Sequence, residues 1–415
     1  MIYRNITPKI LEALQDTPVI FLNGARQTGK STLAQWLAKE KYPAKYFTFD
    51  DVTTFVAAKE SPVDFIKNLQ TPAIIDEVQR VPEVFIAIKY EIDQDRQPGK
   101  FLLTGSANVL LFPKISESLA GRLEIITLWP LSRGEISGSR EGFVDFLFSN
   151  KEFEVSDQIE TTEQAFEQIL LGGYPEVLTR AKETRRQTWF NSYITTILQR
   201  DVRDIAHIQG LTELPKLLSL LAARATSLLN FAEISRSSAI QQTSLKRYIT
   251  LLETTFLIQR LCAWSPNLGK RLVKAPKMVM NDSGLMSYLL GLEKNRLLEN
   301  RHLMGPMLEN FVIMEIFKQI GWSTLQPRIF HFRTQSGLEV DIVLEDRAGK
   351  VVGIEVKSAA SVSAGDFKGL RFLSESLRNK FHRGIVLYRG EKILPFGKNL
   401  FAVPLPALWQ TVMPT

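Results

Sequence analysis

Apolar and polar positions change rhythm several times along the chain. Up to about residue 130, short apolar runs alternate with polar, turn-forming stretches. The runs at 18–22, 45–49, 73–75, 101–103 and 123–128 have the length and composition of buried strands. Residues 7–15 and 32–39 carry apolar positions at helical spacing instead. Between 214 and 252 the rhythm is that of three helices. The first is a 3-4 repeat over 214–223, the second opens on Asn230 as N-cap, and the third covers 244–252 with Leu245, Tyr248, Ile249 and Leu252 on one face. Two alternating stretches, 256–263 and 271–280, read as strands joined by a loop over 264–270. Period-2 alternation returns at 329–333, 337–344 and 351–358, with a hairpin turn at 346–349.

Composition narrows the class without naming a function. With 45% hydrophobic and 23% charged residues over 415 positions, the chain suits two or three soluble globular domains. No apolar run approaches the roughly 20 residues that cross a bilayer, and residues 1–6 lack the form of a signal peptide. No membrane partner is expected. Cys262 is the only cysteine, which excludes an intramolecular disulfide and a cysteine-built zinc site and fits a reducing cytoplasm. Its apolar neighbours predict a buried position. The four histidines have no metal-ligand spacing. The net charge of +7 sits in one region: residues 206–305 hold 13 Lys/Arg against 6 Asp/Glu, leaving 38 of each elsewhere. That concentration suits a polyanionic partner, although a solvated surface has the same look.

Candidate chemistry begins after the first apolar run. Gly24, Ala25, Arg26, Gln27, Thr28, Gly29, Lys30, Ser31 and Thr32 have the spacing G-x-x-x-x-G-K-[ST] between a predicted strand and a predicted helix. Backbone N–H groups of such a loop, with the helix N-terminus behind it, cradle the phosphates of a nucleoside triphosphate. Lys30 would reach the β- and γ-phosphates and Ser31 would ligate Mg²⁺. The third run ends in Asp76-Glu77, the Walker B pattern. Asp76 would hold Mg²⁺ as a hard oxygen ligand and Glu77 would accept a proton from the attacking water. The fourth run ends in a polar tip, where Thr104, Ser106 and Asn108 are candidate sensors of the γ-phosphate. A guanidinium that stabilises transition-state charge from a neighbouring subunit is expected at Arg122, with Arg133 as the alternative.

The phrases GARQTGKST, IIDEVQRVP, LLTGSAN, SLAGRL, PLSRGE, LGGYPEVL and LQRDV resemble the AAA+ ATPases of an archaeal and bacterial group. In that group a P-loop domain is joined to a carboxy-terminal domain of unknown function. The resemblance implies an α/β fold with a parallel sheet in the order 5-1-4-3-2, and a helical lid over 163–204. It also implies ATP and Mg²⁺ as cofactors and a homo-oligomer, with a ring as one form, because an arginine of the next subunit normally completes the site.

Helix-turn-helix followed by a strand pair is a winged helix, expected over 206–300 after an ATPase domain at 1–205. Lys246 and Arg247 lie on its third helix. Lys270, Arg271, Lys274 and Lys277 stud its wing, which makes these six the candidate DNA contacts. Residues 301–415 resemble the PD-(D/E)xK nuclease fold, above all the junction resolvases. Glu309 matches the helical acid, Asp341 the strand acid, and Glu355 and Lys357 the E-x-K strand. Three carboxylates can hold Mg²⁺ beside a scissile phosphate while Lys357 orients a water. The same residues also read as a structural ion-pair cluster. The combined expectation is an Mg²⁺-dependent ATPase that binds or remodels DNA, branched or junction DNA included. A metal-dependent endonuclease and a nucleotide-switched scaffold for protein partners are the alternatives.

Overall fold

A computed structural model describes residues 1–106, 119–153, 162–202, 211–293, 296 and 301–412. The chain divides into two compact units. One comprises Met1–Leu131 with Tyr174–Glu176 and Thr254–Phe256; the other comprises Ser132–Gly173, Val177–Glu253 and Leu257–Thr415. Among the described residues, no helix is long and apolar enough to cross a membrane.

The first unit is built on β1 (Val19–Asn23), β2 (Lys45–Thr48), β3 (Ala73–Asp76), β4 (Phe101–Gly105) and β5 (Leu123–Thr127), where the apolar runs predict strands. All pairings are parallel and the order is β2-β3-β4-β1-β5, as expected. Every residue of β1, β3 and β4 is buried. Continuous apolar runs are what a parallel sheet covered on both faces requires. Phe21, Ile75 and Leu103 pack with Phe85 and Ile88 of the Val84–Gln94 helix. Because the strands run the same way, the loops leaving β1, β3 and β4 meet at one edge, where ligands bind in open α/β sheets.

The second unit contains the Leu214–Ala223, Phe231–Ser238 and Gln242–Thr254 helices and an antiparallel ribbon of β6 (Ile258–Leu261) and β7 (Lys277–Met280). Asn230 caps the second helix by accepting from the Glu233 N–H, as expected. The ribbon departs from the expected strand pair. Residues 268–273 form a helix (Leu268–Val273) whose N-cap, Asn267, accepts from the Lys270 N–H, and the second strand begins only at Lys277. Pro276, with no N–H to donate, separates the two. Cys262, expected to be buried, is exposed.

A six-stranded mixed sheet follows, from β8 (Arg328–Arg333), β9 (Glu339–Glu345), β10 (Val351–Val356), β11 (Phe381–Tyr388), β12 (Leu394–Gly397) and β13 (Leu400–Pro404). Its order is β12-β13-β11-β10-β9-β8. The amphipathic Lys368–Leu377 helix buries Leu370 and Leu373 against Val340, Val343 and Phe381 of this sheet. The ribbon is tied to β8: Ala263 pairs with His331, the Trp264 N–H donates to the His331 carbonyl at 2.6 Å, and the His331 N–H donates to the Cys262 carbonyl at 2.9 Å.

Candidate functional site

In the loop after β1, Gly24 has φ +148°, and a Cβ there would lie 2.2 Å from the Leu128 carbonyl oxygen. Gln27 and Gly29 also have positive φ, 63° and 91°, and the Lys30–Glu40 helix starts on Gly29. The Thr28 hydroxyl donates to the Ala25 carbonyl at 3.0 Å, and the Arg4 guanidinium donates to the Thr28 and Trp129 carbonyls at 2.8 and 2.6 Å. These bonds within the chain hold the shape of the loop. Lys30 is buried, and its ammonium donates to the carbonyls of Gly24 and Ala25 at 2.9 and 2.7 Å. Arg26 is half-buried, while Gln27 and Thr32 are exposed.

Asp76, the last residue of β3, gathers hydroxyls. Ser31 donates to Oδ1 at 3.0 Å, Thr104 donates to the same oxygen, and Tyr46 donates to Oδ2 at 2.7 Å. Burial first, and then the bond to Asp76, pushes the Tyr46 phenol up, so it remains a donor. The Ser31 and Asp76 oxygens stand 3.0 Å apart. Adjacent corners of an octahedron with Mg–O bonds of roughly 2.1 Å are separated by about 3 Å, so this oxygen pair fits Mg²⁺. Glu77 follows in the left-handed region with φ 59°. Its N–H donates to the Thr104 hydroxyl at 3.2 Å. Its carboxylate accepts from the Gln79 side-chain amide, which also donates to the Ser106 hydroxyl at 2.9 Å. Gln79 thus joins Glu77 to the tip of β4. Asn108 lies outside the described residues.

Arg122 precedes β5. Its carbonyl accepts from the Val19 N–H at 3.2 Å, at the start of β1. That is the edge opposite the phosphate loop, about 17 Å away along a five-residue strand. The guanidinium pairs with Asp93 at 2.5 Å and donates to the Ala120 carbonyl at 3.1 Å. Arg133 opens a short helix in the second unit, where its N–H donates to Glu315 at 2.8 Å.

The second unit gathers Glu309, Asp341, Glu355 and Lys357, together with a residue expected on an exposed wing. Lys277, the first residue of β7, places its ammonium 2.6 Å from Glu309, 3.3 Å from Asp341 and 3.6 Å from Glu339. Burial opposes its charge, but the carboxylates of Glu309, Asp341 and Glu339 outweigh burial and raise its pKa. Asp341 Oδ2 accepts from the Val356 N–H at 2.9 Å. Glu355 accepts from the Asp341 N–H at 3.4 Å and from Lys357 at 2.8 Å. Burial, and then the Asp341 charge, pushes Glu309 up to about 7 and Glu355 up to about 8. The oxygens that would ligate Mg²⁺ are committed to Lys277, Lys357 and backbone N–H groups, so this donor set does not fit the metal. Among the described residues, no group of three or more His, Cys, Asp or Glu is arranged to hold one.

Residues 16–137 match the family model of an AAA domain. That match and the strand order agree. Residues 162–296 and 304–408 match models described as domains of unknown function, DUF8612 and DUF4143. Two proteins described only as uncharacterised, from Mycobacterium bovis and Mycobacterium tuberculosis, are each 28% identical over 414 residues, 98% of this chain and 85% of theirs. Among solved structures, the Thermotoga maritima RuvB Holliday junction branch migration motor is 17% identical at a TM-score of 0.29, over 63% of this chain and 89% of that one. Drosophila ORC bound to AT-rich DNA and Cdc6 is 9% identical at a TM-score of 0.21, over 71% of this chain and 90% of that one. Scores this low leave the assignment resting on the AAA domain match.

Outside the AAA domain, the six basic residues expected to meet DNA divide into two groups. Lys246, Arg247, Lys270 and Lys274 are exposed. Arg271 and Lys277 are buried, which corrects their placement on an open wing. Arg271 pairs with Glu345, one of its bonds at 3.0 Å, donates to the Ser265 carbonyl and lies over the Trp264 and Phe330 rings. Sequence reasoning missed Tyr46, Gln79 and Arg4, and gave Lys277 a DNA contact instead of a place among the carboxylates. Gln79 carried the one available signal, a polar residue two positions beyond the Walker B glutamate.

Proposed function

We propose that the chain is an Mg²⁺-dependent AAA+ ATPase that couples ATP binding and hydrolysis to the binding or remodelling of DNA, with branched or junction DNA the first substrate class to test. The observation that carries the reading is the linked set Ser31–Asp76–Thr104 and Glu77–Gln79–Ser106 beside the phosphate loop. Ser31 and Asp76 would hold the metal, which when bound neutralises charge on the β- and γ-phosphates. Lys30 would exchange its two carbonyl partners for phosphate oxygens. Glu77 would take the proton of the attacking water, with Ser106 reporting on the γ-phosphate through Gln79. Arg122 is too far along the sheet to serve the phosphate loop of its own chain. It would act, once released from Asp93, on the site of a neighbouring copy, so a homo-oligomer, with a ring as one form, is part of the proposal.

The DNA half of the reading rests on the exposed Lys246, Arg247, Lys270 and Lys274 in the region proposed as a winged helix. The test is ATP turnover measured with single-stranded, duplex, forked and four-way DNA at several salt concentrations. Stimulation that weakens as salt rises supports the reading. Turnover indifferent to every DNA form, with no salt-dependent binding, overturns its DNA half and leaves the ATPase half to be judged on Glu77→Gln.

A further inference from the structure

The carboxylate cluster of the second unit contains a cation supplied by the chain itself. Lys277 is 2% exposed and faces three carboxylates, Glu309, Asp341 and Glu339. Its ammonium donates to Glu309 and Asp341, and Glu339 at 3.6 Å adds the attraction of a third charge. The three acids come from two elements: Glu309 from the Arg301–Trp322 helix, Glu339 and Asp341 from β9. Lys277 comes from the ribbon, outside the segment that resembles a nuclease. Asp341 Oδ2 is engaged by the Val356 N–H, and Glu355 by Lys357 and the Asp341 N–H.

Access is not what would keep a metal out. A cleft of about 630 Å³, lined in part by Arg224, Asn230, Glu233, Lys277, Arg333 and Glu339, brings solvent to the edge of the cluster. A divalent ion entering there would have to bond carboxylate oxygens at roughly 2.0–2.6 Å. Lys277 Nζ lies 2.6 Å from Glu309 and 3.3 Å from Asp341. A second cation would have to displace the ammonium or sit beside it, and like charges at that range repel strongly where water is scarce.

We propose that Lys277 is the permanent counter-ion of this centre, standing where the nuclease-like reading places its metal, so that Glu309, Asp341 and Glu355 take no divalent ion while Lys277 is present. The centre is then a staple between ribbon, helix and sheet, with no metal to cut a phosphodiester. The proposal goes beyond the ATPase reading and does not depend on it.

The test uses the full chain without nucleotide and Mn²⁺ as the probe, with free Mn²⁺ followed by electron paramagnetic resonance. Asp76→Asn is present throughout to remove the phosphate-loop contribution. With Lys277 in place, Asp341→Asn should leave the number of bound Mn²⁺ ions unchanged. Lys277→Ala should gain one Mn²⁺ per chain, and adding Asp341→Asn should remove it again. Lys277→Arg, which keeps the charge, should gain none. Mn²⁺ that binds the Lys277 protein and is lost on Asp341→Asn overturns the proposal. So does a folded Lys277→Ala protein, by near-UV circular dichroism, that gains no ion. Should Lys277→Ala fail to fold, the Asp341→Asn comparison with Lys277 in place still decides.

Discussion

Asp76 and Asp341 both end up buried near a strand end, among other oxygen atoms, yet they keep opposite company. Asp76 takes hydrogens from three hydroxyls, those of Ser31, Thr104 and Tyr46. Asp341 takes them from an ammonium and a backbone amide. A hydroxyl has lone pairs as well as a hydrogen, so Ser31 can turn from donor to metal ligand when a cation arrives. An ammonium has no lone pair to offer and brings its own charge. The first centre is therefore poised to receive a cation and the second is already filled. Two acid-bearing strand ends that look alike in the sequence are separated by the chemistry of the donors around them.

The largest contrast is expected on exchanging a carboxylate for an amide in each centre. Glu77→Gln should lower kcat for ATP by about 10²–10⁴ while nucleotide binding is retained, the range expected for loss of a general base. Asp341→Asn should leave turnover nearly unchanged. Equal losses in the two variants would erase the distinction between the centres.

Next in size is a loss of stability. Lys277→Ala leaves buried carboxylates without their cation and should cost about 3 kcal/mol in guanidinium unfolding, the scale for breaking a buried ion pair. Lys277→Arg should recover most of it. Lys30→Ala should abolish nucleotide binding with a much smaller change in unfolding free energy. Within the first centre, Gln79→Ala removes the amide that joins Glu77 to Ser106. A fall in kcat of about five-fold with KM nearly unchanged is expected, since one orienting hydrogen bond is worth about 1 kcal/mol and 1.4 kcal/mol is a factor of ten.

The remaining effect is one of pH. Glu309 and Glu355 are pushed up to about 7 and about 8 from an ordinary value of 4.5. In that window the folded chain holds protons that the unfolded chain has released, so stability falls as pH rises from about 4.5 towards 8. Below about pH 6.5 the buried His331, pushed down to about 4 first by burial and then by Lys277, works the other way, because the unfolded chain gains its proton first. Melting temperatures between pH 6.5 and 8 isolate the carboxylates. A downward slope that Glu355→Gln flattens is the expected result, and an unchanged slope would assign the effect elsewhere.

The first centre was legible because its parts keep fixed places in the linear sequence. The loop spacing fixes Lys30 and Ser31, and a buried run ending in Asp76-Glu77 follows from the strand's own pattern. The contribution of Tyr46 was not legible, since it depends on β2 lying beside β3. The E-x-K strand could likewise be read from alternation, which sets Glu355 beside Lys357 and, by pairing, near Asp341. Lys277 could not. Taking 271–280 as one strand set the lysine among wing residues. A side-chain cap from Asn267 and a proline at 276 break that stretch into a helix and a shorter strand, and only then does β7 deliver Lys277 inward. Register set by a local cap, inside a stretch whose alternation reads as one strand, lies beyond pattern reading.

The lone thiol offers a practical handle on this arrangement. Cys262 is exposed, and its carbonyl receives the His331 amide where the ribbon is laced to β8. A maleimide dye attached there would be a single, unambiguous label on the seam, introduced without mutating any other position. Its anisotropy or quenching would report whether ribbon and sheet part company as ligands come and go.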